Sequence, residues 1–373
     1  MQNKTRLVLM LFVLCICVLS IECQKQDSAW KGTISEEDGV TVVKNPKEPM
    51  YGVDVFSLVE ELAITEADGG DECIFSQVRG IDADESGRIY ILDFNESHVY
   101  IFDSDGTYIK TFGRKGQGPG ELDMPMTIKI IDRNKVAVGN FSKGMIFYDL
   151  EGNFIREINT VKSGARGVEI DSDYNLYGVL IVPEEEDPRF EFIKFDPEMN
   201  RLCSFGKSPL PTARKEGFNP FGGALRYAIR RDNFVISGDP QTYEINVYGP
   251  TGNLIRKISK EYDPVEITQE EKDRVMERMS PDIKVSIPKY HNPYSWFMTD
   301  DEGRIFVQTN EQVEEGSYFY DIFDPEGKCL AKIPLKMRPY LIKKNKLYTV
   351  ESDEEGFLTV KRYRIDWNIR ARN

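Results

Sequence analysis

GRIYILDFNESHVYIFDSDGTYIKTFG, residues 87–113, decides how this chain is to be read. Two runs, IYILD and HVYIF, are rich in β-branched and aromatic residues and are separated by a short polar link. An Asp-Gly turn follows, and then a third run, YIKTF. Strand-type residues broken by turn chemistry at this spacing describe an antiparallel meander rather than a helix, whose apolar positions would recur every three to four residues.

The turn recurs. It reads FDSDG at 102, YDLEG at 148, FDPEM at 195, YGPTG at 248 and FDPEG at 323, with a degenerate IDWN at 365. Each of the first five precedes a strand of one type: TYIKTFG, NFIREIN, NRLCSFG, NLIRKIS and KCLAKIP. The steps between turns are 42 to 53 residues long, apart from one of 75. A period of this length is one four-stranded sheet, so six units predict an all-β, six-bladed β-propeller of four-stranded antiparallel blades. Such blades are too small to bury both faces alone, and radial packing in a closed ring supplies the burial.

Closure makes a demand. The last unit offers strands at 339–343, 346–351 and 358–365 and lacks a fourth. FSLVEELAIT, residues 56–65, has the pattern to complete it, which would tie the chain's beginning to its end. Thr41–Lys44 is a weaker candidate for the same place. The long step holds Thr268-Gln-Glu-Glu271, a capping box, and predicts one helical insertion between blades four and five.

The organisation read from sequence is a signal peptide at 1–22, a tether at 23–38 and the propeller at 39–373. Lys4 and Arg6 precede an apolar run, Leu7–Leu19, which suits a secretory signal better than a membrane span. Cys23 is a candidate lipidation site, although Glu22 departs from the small residue expected before a lipid-bearing cysteine; simple cleavage after Ser20 is the other exit. Either route exports the protein, to the periplasm or to the cell surface as a lipoprotein. The formal net charge of −14 excludes general polyanion binding, because phosphate contacts need clustered Lys and Arg. Nucleic acid is therefore not an expected partner. A membrane is expected to be touched only through a lipid on Cys23, and the chain is expected to be monomeric. Cys73, Cys203 and Cys329 form no C-x-x-C pattern and read as core residues.

GRKGQGPGELDMP, residues 113–125, with IYILD before it and YDLEGNFIREI after it, resembles the NHL-type repeat. VVKNPKEPMYG (42–52) and IPKYHNP (287–293) ahead of DDEGRIFVQT extend the likeness. The chain is similar to the six-bladed propeller lipoproteins of Bacteroidetes-like bacteria. That resemblance implies the fold and an envelope location and leaves the activity open. The zinc site of NHL-type amidating lyases does not carry over, since His98 and His291 are the only two histidines.

The glycine stretch itself is not a phosphate loop. Its spacing fits neither G-x-x-x-x-G-K-[ST] nor G-x-G-x-x-G, Pro119 removes a donor, and a strand, TIKIID, follows it. It reads as the crossover between two blades. Asp93, Asn140, Asp239 and Asn310 fall at the ends of second strands and read as residues that satisfy loop backbone. Glu184–Asp187 reads as a solvated loop. Neither a metal, a cofactor nor a catalytic constellation is indicated.

Alignment of the innermost strands brings Arg79 (VRGI), Arg166 (ARGV), Arg226 (LRYA) and Arg338 (MRPY) to equivalent places, with Met126 and Ser295 in the other two blades. Innermost strands line a propeller's channel. Four guanidiniums at one mouth would be an anion site for a carboxylate, a sulfate or an acidic sugar, unless carboxylates pair with them or they turn into the crevices between blades. The function expected is binding, of a small anionic ligand or an envelope protein. The alternative is a lyase or hydrolase acting on a sugar acid or peptide at the channel mouth.

Overall fold

The structure is a computed structural model that describes residues 30–183, 188–210, 217–314 and 316–368. The expected signal peptide, Cys23 and the run 184–187 lie outside these residues. The propeller is the compact unit Lys31–Asn373.

Three strands precede the first full blade: β1 (Thr33–Glu37), β2 (Val40–Asn45) and β3 (Phe56–Ile64). Blade 1 then holds β4 (Val78–Ala83), β5 (Ile89–Asp93), β6 (His98–Phe102) and β7 (Tyr108–Phe112). Blade 2 holds β8 (Pro125–Ile131), β9 (Lys135–Asn140), β10 (Gly144–Asp149) and β11 (Phe154–Asn159). Blade 3 is β12 (Arg166–Ile170), β13 (Leu176–Val182), β14 (Arg189–Phe195) and β15 (Arg201–Pro209). Blade 4 is β16 (Arg226–Ile229), β17 (Val235–Gly238), β18 (Glu244–Tyr248) and β19 (Leu254–Lys260). Blade 5 runs through β20 (Tyr294–Thr299), β21 (Ile305–Glu314), β22 (Ser317–Phe323) and β23 (Cys329–Leu335). Blade 6 has β24 (Pro339–Lys343), β25 (Lys346–Ser352) and β26 (Leu358–Trp367) from the end of the chain.

β3 supplies the missing strand of blade 6, antiparallel to β26 with Ile64 opposite Val360 and Phe56 opposite Trp367. The ring thus closes through the segment that the sequence assigned to it. The Thr41–Lys44 segment goes elsewhere. It lies in β2, which pairs in parallel with β19 and, with β1, extends blade 4 to six strands. The hairpin also moves the start of the folded unit ahead of the boundary read at residue 39. β1 is exposed along its length and carries no apolar alternation, so its strand character comes from backbone pairing alone.

The core is divided among six apolar clusters, and each spans one seam between neighbouring blades. The seam between blades 3 and 4 has the fewest buried members and is aromatic, built on Tyr177, Phe192 and Phe205. There Tyr227 stacks on Phe192 at 3.6 Å between ring centroids. The helical insertion, α1 (Gln269–Met276), falls between blades 4 and 5 and starts at the expected box: Thr268 N–H donates to the Glu271 carboxylate, and Thr268 Oγ1 accepts from Glu271 N–H.

The N-terminal segment also laces the outside of the ring. Buried Asn45 donates from Nδ2 to Ser259 O in blade 4 and to Gly327 O in the turn before the last strand of blade 5, and its Oδ1 accepts from Cys329 N–H. Met50 and Tyr51 then donate to the carbonyls of Cys329 and Leu330. One side chain therefore joins two blades that are not consecutive with it in sequence. Asn45→Ala strands a buried donor and acceptor, and the expected cost is about 1–3 kcal/mol. A lowered urea midpoint with unchanged slope is the expected reading; a midpoint equal to wild type would show that the clamp contributes nothing.

Candidate functional site

The innermost strands β4, β8, β12, β16, β20 and β24 all begin at one end of the ring's axis. The four arginines gather at that end, though not on one rung. Arg79 follows Val78, which faces Asp93, and stands at an irregularity in the pairing. Register places Met126, Ser295 and Tyr340 at the same point, because Pro125, Tyr294 and Pro339 take the place of Val78. Arg338 therefore precedes its strand instead of matching Arg79. Arg226 faces Gly238, the residue before Asp239, just as Gly80 faces the residue before Asp93, so it sits one position further along. Gapped sequence alignment could not see these slips, since each irregularity adds a residue without changing the apolar pattern.

Their surroundings differ too. Arg79 and Arg166 are exposed, and the Arg79 guanidinium lies 5.2 Å from the Phe94 ring centre. Arg226 turns into the seam between blades 4 and 5, where its Nε donates to Ser295 O at 2.8 Å. Arg338 stacks 4.3 Å from the Trp296 ring centre. Burial, and after it the like charge of Arg338, pulls the Arg226 guanidinium below its usual range. Among the described residues, none of the four is in an ion pair with a carboxylate.

Two cavities open along the axis. One, of about 210 Å³, is lined by Arg79, Met126, Thr127, Lys129, Glu169 and Tyr340, among others. The other, of about 590 Å³, runs from Arg338, Trp296 and Tyr340 past Lys129 and Glu169 toward Glu85 and Asp301. The two share Lys129, Glu169 and Tyr340.

That shared level is a rung of the channel that the sequence reading missed. Register aligns Asp82, Lys129, Glu169, Ala228, Met298 and Lys343 on the six inner strands. Blades 6, 1, 2 and 3 thus contribute charges of alternating sign, and blades 4 and 5 contribute apolar side chains. Three of the four charged groups bind the next blade. Lys343 Nζ donates to Asp82 Oδ1 at 2.8 Å and to Ala83 O, Asp82 Oδ2 accepts from Ile130 N–H at 2.7 Å, and Lys129 Nζ donates to Ile170 O at 2.8 Å. Among the described residues, the Glu169 side chain makes no hydrogen bond or ion pair. Burial pushes its carboxyl above the ordinary range against the pull of Lys129, and burial holds the Lys129 ammonium below its own. The signal was present in the sequence: IDAD, IKII, VEID and LIKK each carry a charge, Asp82, Lys129, Glu169 or Lys343, directly between or beside apolar residues of an inner strand.

At the far end of the axis the channel is crossed by ion pairs. Arg231 of blade 4 reaches Glu85 of blade 1, on the opposite side of the ring, at 3.1 Å, and Lys344 of blade 6 binds Glu85 at 2.8 Å. Lys344 first, then Arg231, hold the Glu85 carboxyl down at about 2. The arginine end carries no such bracing and is the freer entrance.

The remaining candidates serve the scaffold. The glycine stretch does join β7 to β8, and its own Glu121 takes the place an external anion would need: Gly118 N–H donates to Glu121 Oε2 at 2.7 Å and Arg114 Nε to Oε1 at 2.8 Å. Gly113 and Gly120 adopt φ of 82° and 69°, which the tight path requires. Asp93 accepts from the backbone of Gln77, Asn95 and Glu96, Asn140 and Asp239 accept from residues two further on, and Asn310 donates to Asn292 O. His98 lies within β6, and His291 contacts Glu271 of α1 at 3.1 Å.

With the ring and its channel established, comparison gives the relationship. Residues 37–218 match the DUF5128 family, described as a 6-bladed beta-propeller. Among solved structures, a Bacteroides fragilis protein inferred to be exported is 13% identical, with a TM-score of 0.55 over 87% of this chain and 99% of that one. A member of the DUF4221 family from Bacteroides vulgatus is also 13% identical, with a TM-score of 0.50 over 84% and 99%. At this identity the propeller fold is what is shared. No curated protein matches the sequence.

Glu169 gives this site a measurable pH dependence. Its folded-state affinity for a proton exceeds that of the unfolded chain, whose value is near 4.5. Its contribution to stability is therefore greatest below that pH and declines as pH rises through the folded value. Glu169→Gln removes the buried charge, so its melting temperature should exceed wild type at pH 7 and converge with it near pH 4. A variant less stable than wild type at neutral pH would show that the ionised carboxylate has a partner in the channel.

Proposed function

We propose that this protein is an exported, non-enzymatic binding propeller that takes a small anionic ligand at the arginine end of its central channel. The observation that supports this most directly is that, among the described residues, no carboxylate pairs with Arg79, Arg166, Arg226 or Arg338, in a chain of net charge −14. Arg231, Lys343 and Lys344, also near the axis, are each paired with an acid. Like charges gathered at one opening raise each other's energy unless an anion joins them, and Arg226 already registers that repulsion from Arg338. Guanidinium forks suit a carboxylate or sulfate through paired hydrogen bonds. Arg79 and Arg338 line the two cavities; Arg166 is exposed at the rim, and Arg226 lies behind, against Ser295.

Export rests on the basic start and apolar run at Lys4–Leu19, on the resemblance to NHL-type envelope lipoproteins, and on the fold shared with a protein itself inferred to be exported. Cys23 is the residue that would carry a lipid.

The test is a thermal-shift titration with sulfate, D-gluconate and D-galacturonate, with chloride at matched ionic strength as the control. A ligand-specific rise in melting temperature is expected for wild type. Arg79→Ala and Arg338→Ala should each weaken the apparent affinity about 10–100-fold, the range for loss of one hydrogen bond to a charged group. Equal shifts in wild type and both variants, or none with any anion, would remove the arginines from consideration.

A further inference from the structure

We infer that the anion is a hydroxylated one, a sugar acid, held with its carboxylate at Arg79 and its hydroxyls between Lys129 and Glu169. The inference rests on the anion reading and says what lies beyond the charged group. The smaller cavity joins these residues in one space: Arg79 stands at its mouth, Lys129 and Glu169 stand on the inner rung, and Tyr340 and Thr127 form wall between them. Its volume, about 210 Å³, suits one sugar ring and would be poorly filled by an inorganic anion held at the mouth.

The inner rung offers the two halves of hydroxyl recognition. Lys129 Nζ uses one hydrogen bond on Ile170 O and keeps further donors. The Glu169 side chain has no hydrogen-bond or ion-pair partner among the described residues, although its counterparts Asp82, Lys129 and Lys343 are all bound to a neighbouring blade. A hydroxyl both donates and accepts, so it can sit between this carboxyl and this amine and satisfy each.

Charge selects the hydroxyl over an ammonium at this place. On the rung itself Asp82 and Glu169 balance Lys129 and Lys343, which leaves the arginines of the mouth as the excess. A zwitterion such as an amino acid would bring a positive group into a region whose net charge is already positive. An anion carrying neutral polar groups would not. The half-buried Tyr340 ring lines both cavities and provides the apolar surface on which the C–H face of a sugar commonly rests.

Calorimetric titration of the protein with D-galacturonate, D-galactose and cyclohexanecarboxylate separates the possibilities. These three supply charge with hydroxyls, hydroxyls alone and charge alone. Galacturonate should bind at least tenfold more tightly than either of the others. Glu169→Ala should weaken galacturonate tenfold or more and leave cyclohexanecarboxylate unchanged. Glu169→Gln, the milder change, should fall between, and circular dichroism should match wild type in both. If cyclohexanecarboxylate binds as well as galacturonate, or both Glu169 variants bind the uronate like wild type, the hydroxyl site is wrong while the anion site stands. If no carboxylate binds wild type, the anion reading itself fails.

Discussion

Each blade of this protein has two apolar faces and can bury neither of them alone. Everything else in the structure follows from the requirement that six such sheets cover one another in a ring. The six apolar clusters map one to a seam, so no single core exists whose loss the others could absorb. The seam between blades 6 and 1 depends on Ile64 of β3, which packs with Tyr348, Val360 and Ile89. The two segments that meet there, β3 and β26, are thereby fixed by the same burial that holds the middle of the chain. β3 meets β26 antiparallel over its whole length, and this contact turns an open stack into a ring with a defined axis.

Closure also explains why the channel is polar on one side. Inner strands converge, and their side chains must either fill the axis or bridge to the next strand. On blades 6, 1 and 2 they bridge, with Lys343, Asp82 and Lys129 each bonded across a seam. On blades 4 and 5 they fill, with Ala228 and Met298. Blade 3 does neither. Its seam to blade 4 is held by stacked aromatics, and Tyr227 reaches back to Gly167 O at 3.3 Å. Glu169 lines both cavities, its side chain without a hydrogen bond among the described residues. A carboxyl and an amine displaced in opposite directions by burial, in a cavity, mark a candidate site.

Much of this was readable before any coordinates. The turn at FDSDG and its copies placed the outer strands, and the one missing strand pointed to residues 56–65. The capping box at Thr268 placed α1. What escaped had a common cause. β1 has no apolar alternation to detect, and β2 pairs in parallel with a strand more than 200 residues away, a partnership that local pattern cannot encode. The arginine rung was drawn from apolar alignment, which is blind to the irregularities at Arg79, Met126, Ser295 and Tyr340. The charged residues of the inner rung were visible as letters, but their meaning depended on knowing which strands surround the axis.

The two ends of the channel differ in a way that bears on direction. At the turn end, Arg231, Glu85 and Lys344 join opposite and neighbouring blades, and their charges are spent on one another. At the strand-start end the four arginines have no ion-pair partner among the described residues, and Arg79, Arg226 and Arg338 rest instead on the Phe94 ring, on Ser295 O and on the Trp296 ring. Under the proposed reading a small anion would enter at this end and meet Lys129 and Glu169 at the rung. The turn end of the larger cavity is lined by Asp84, Glu85, Asp132, Asp300 and Asp301 beside Arg133 and Arg231, so acids outnumber bases there. The asymmetry needs no moving part. It arises because the inner strands are parallel, so that residues at their starts collect at one opening and turn residues at the other, and the sequence has loaded those two positions differently.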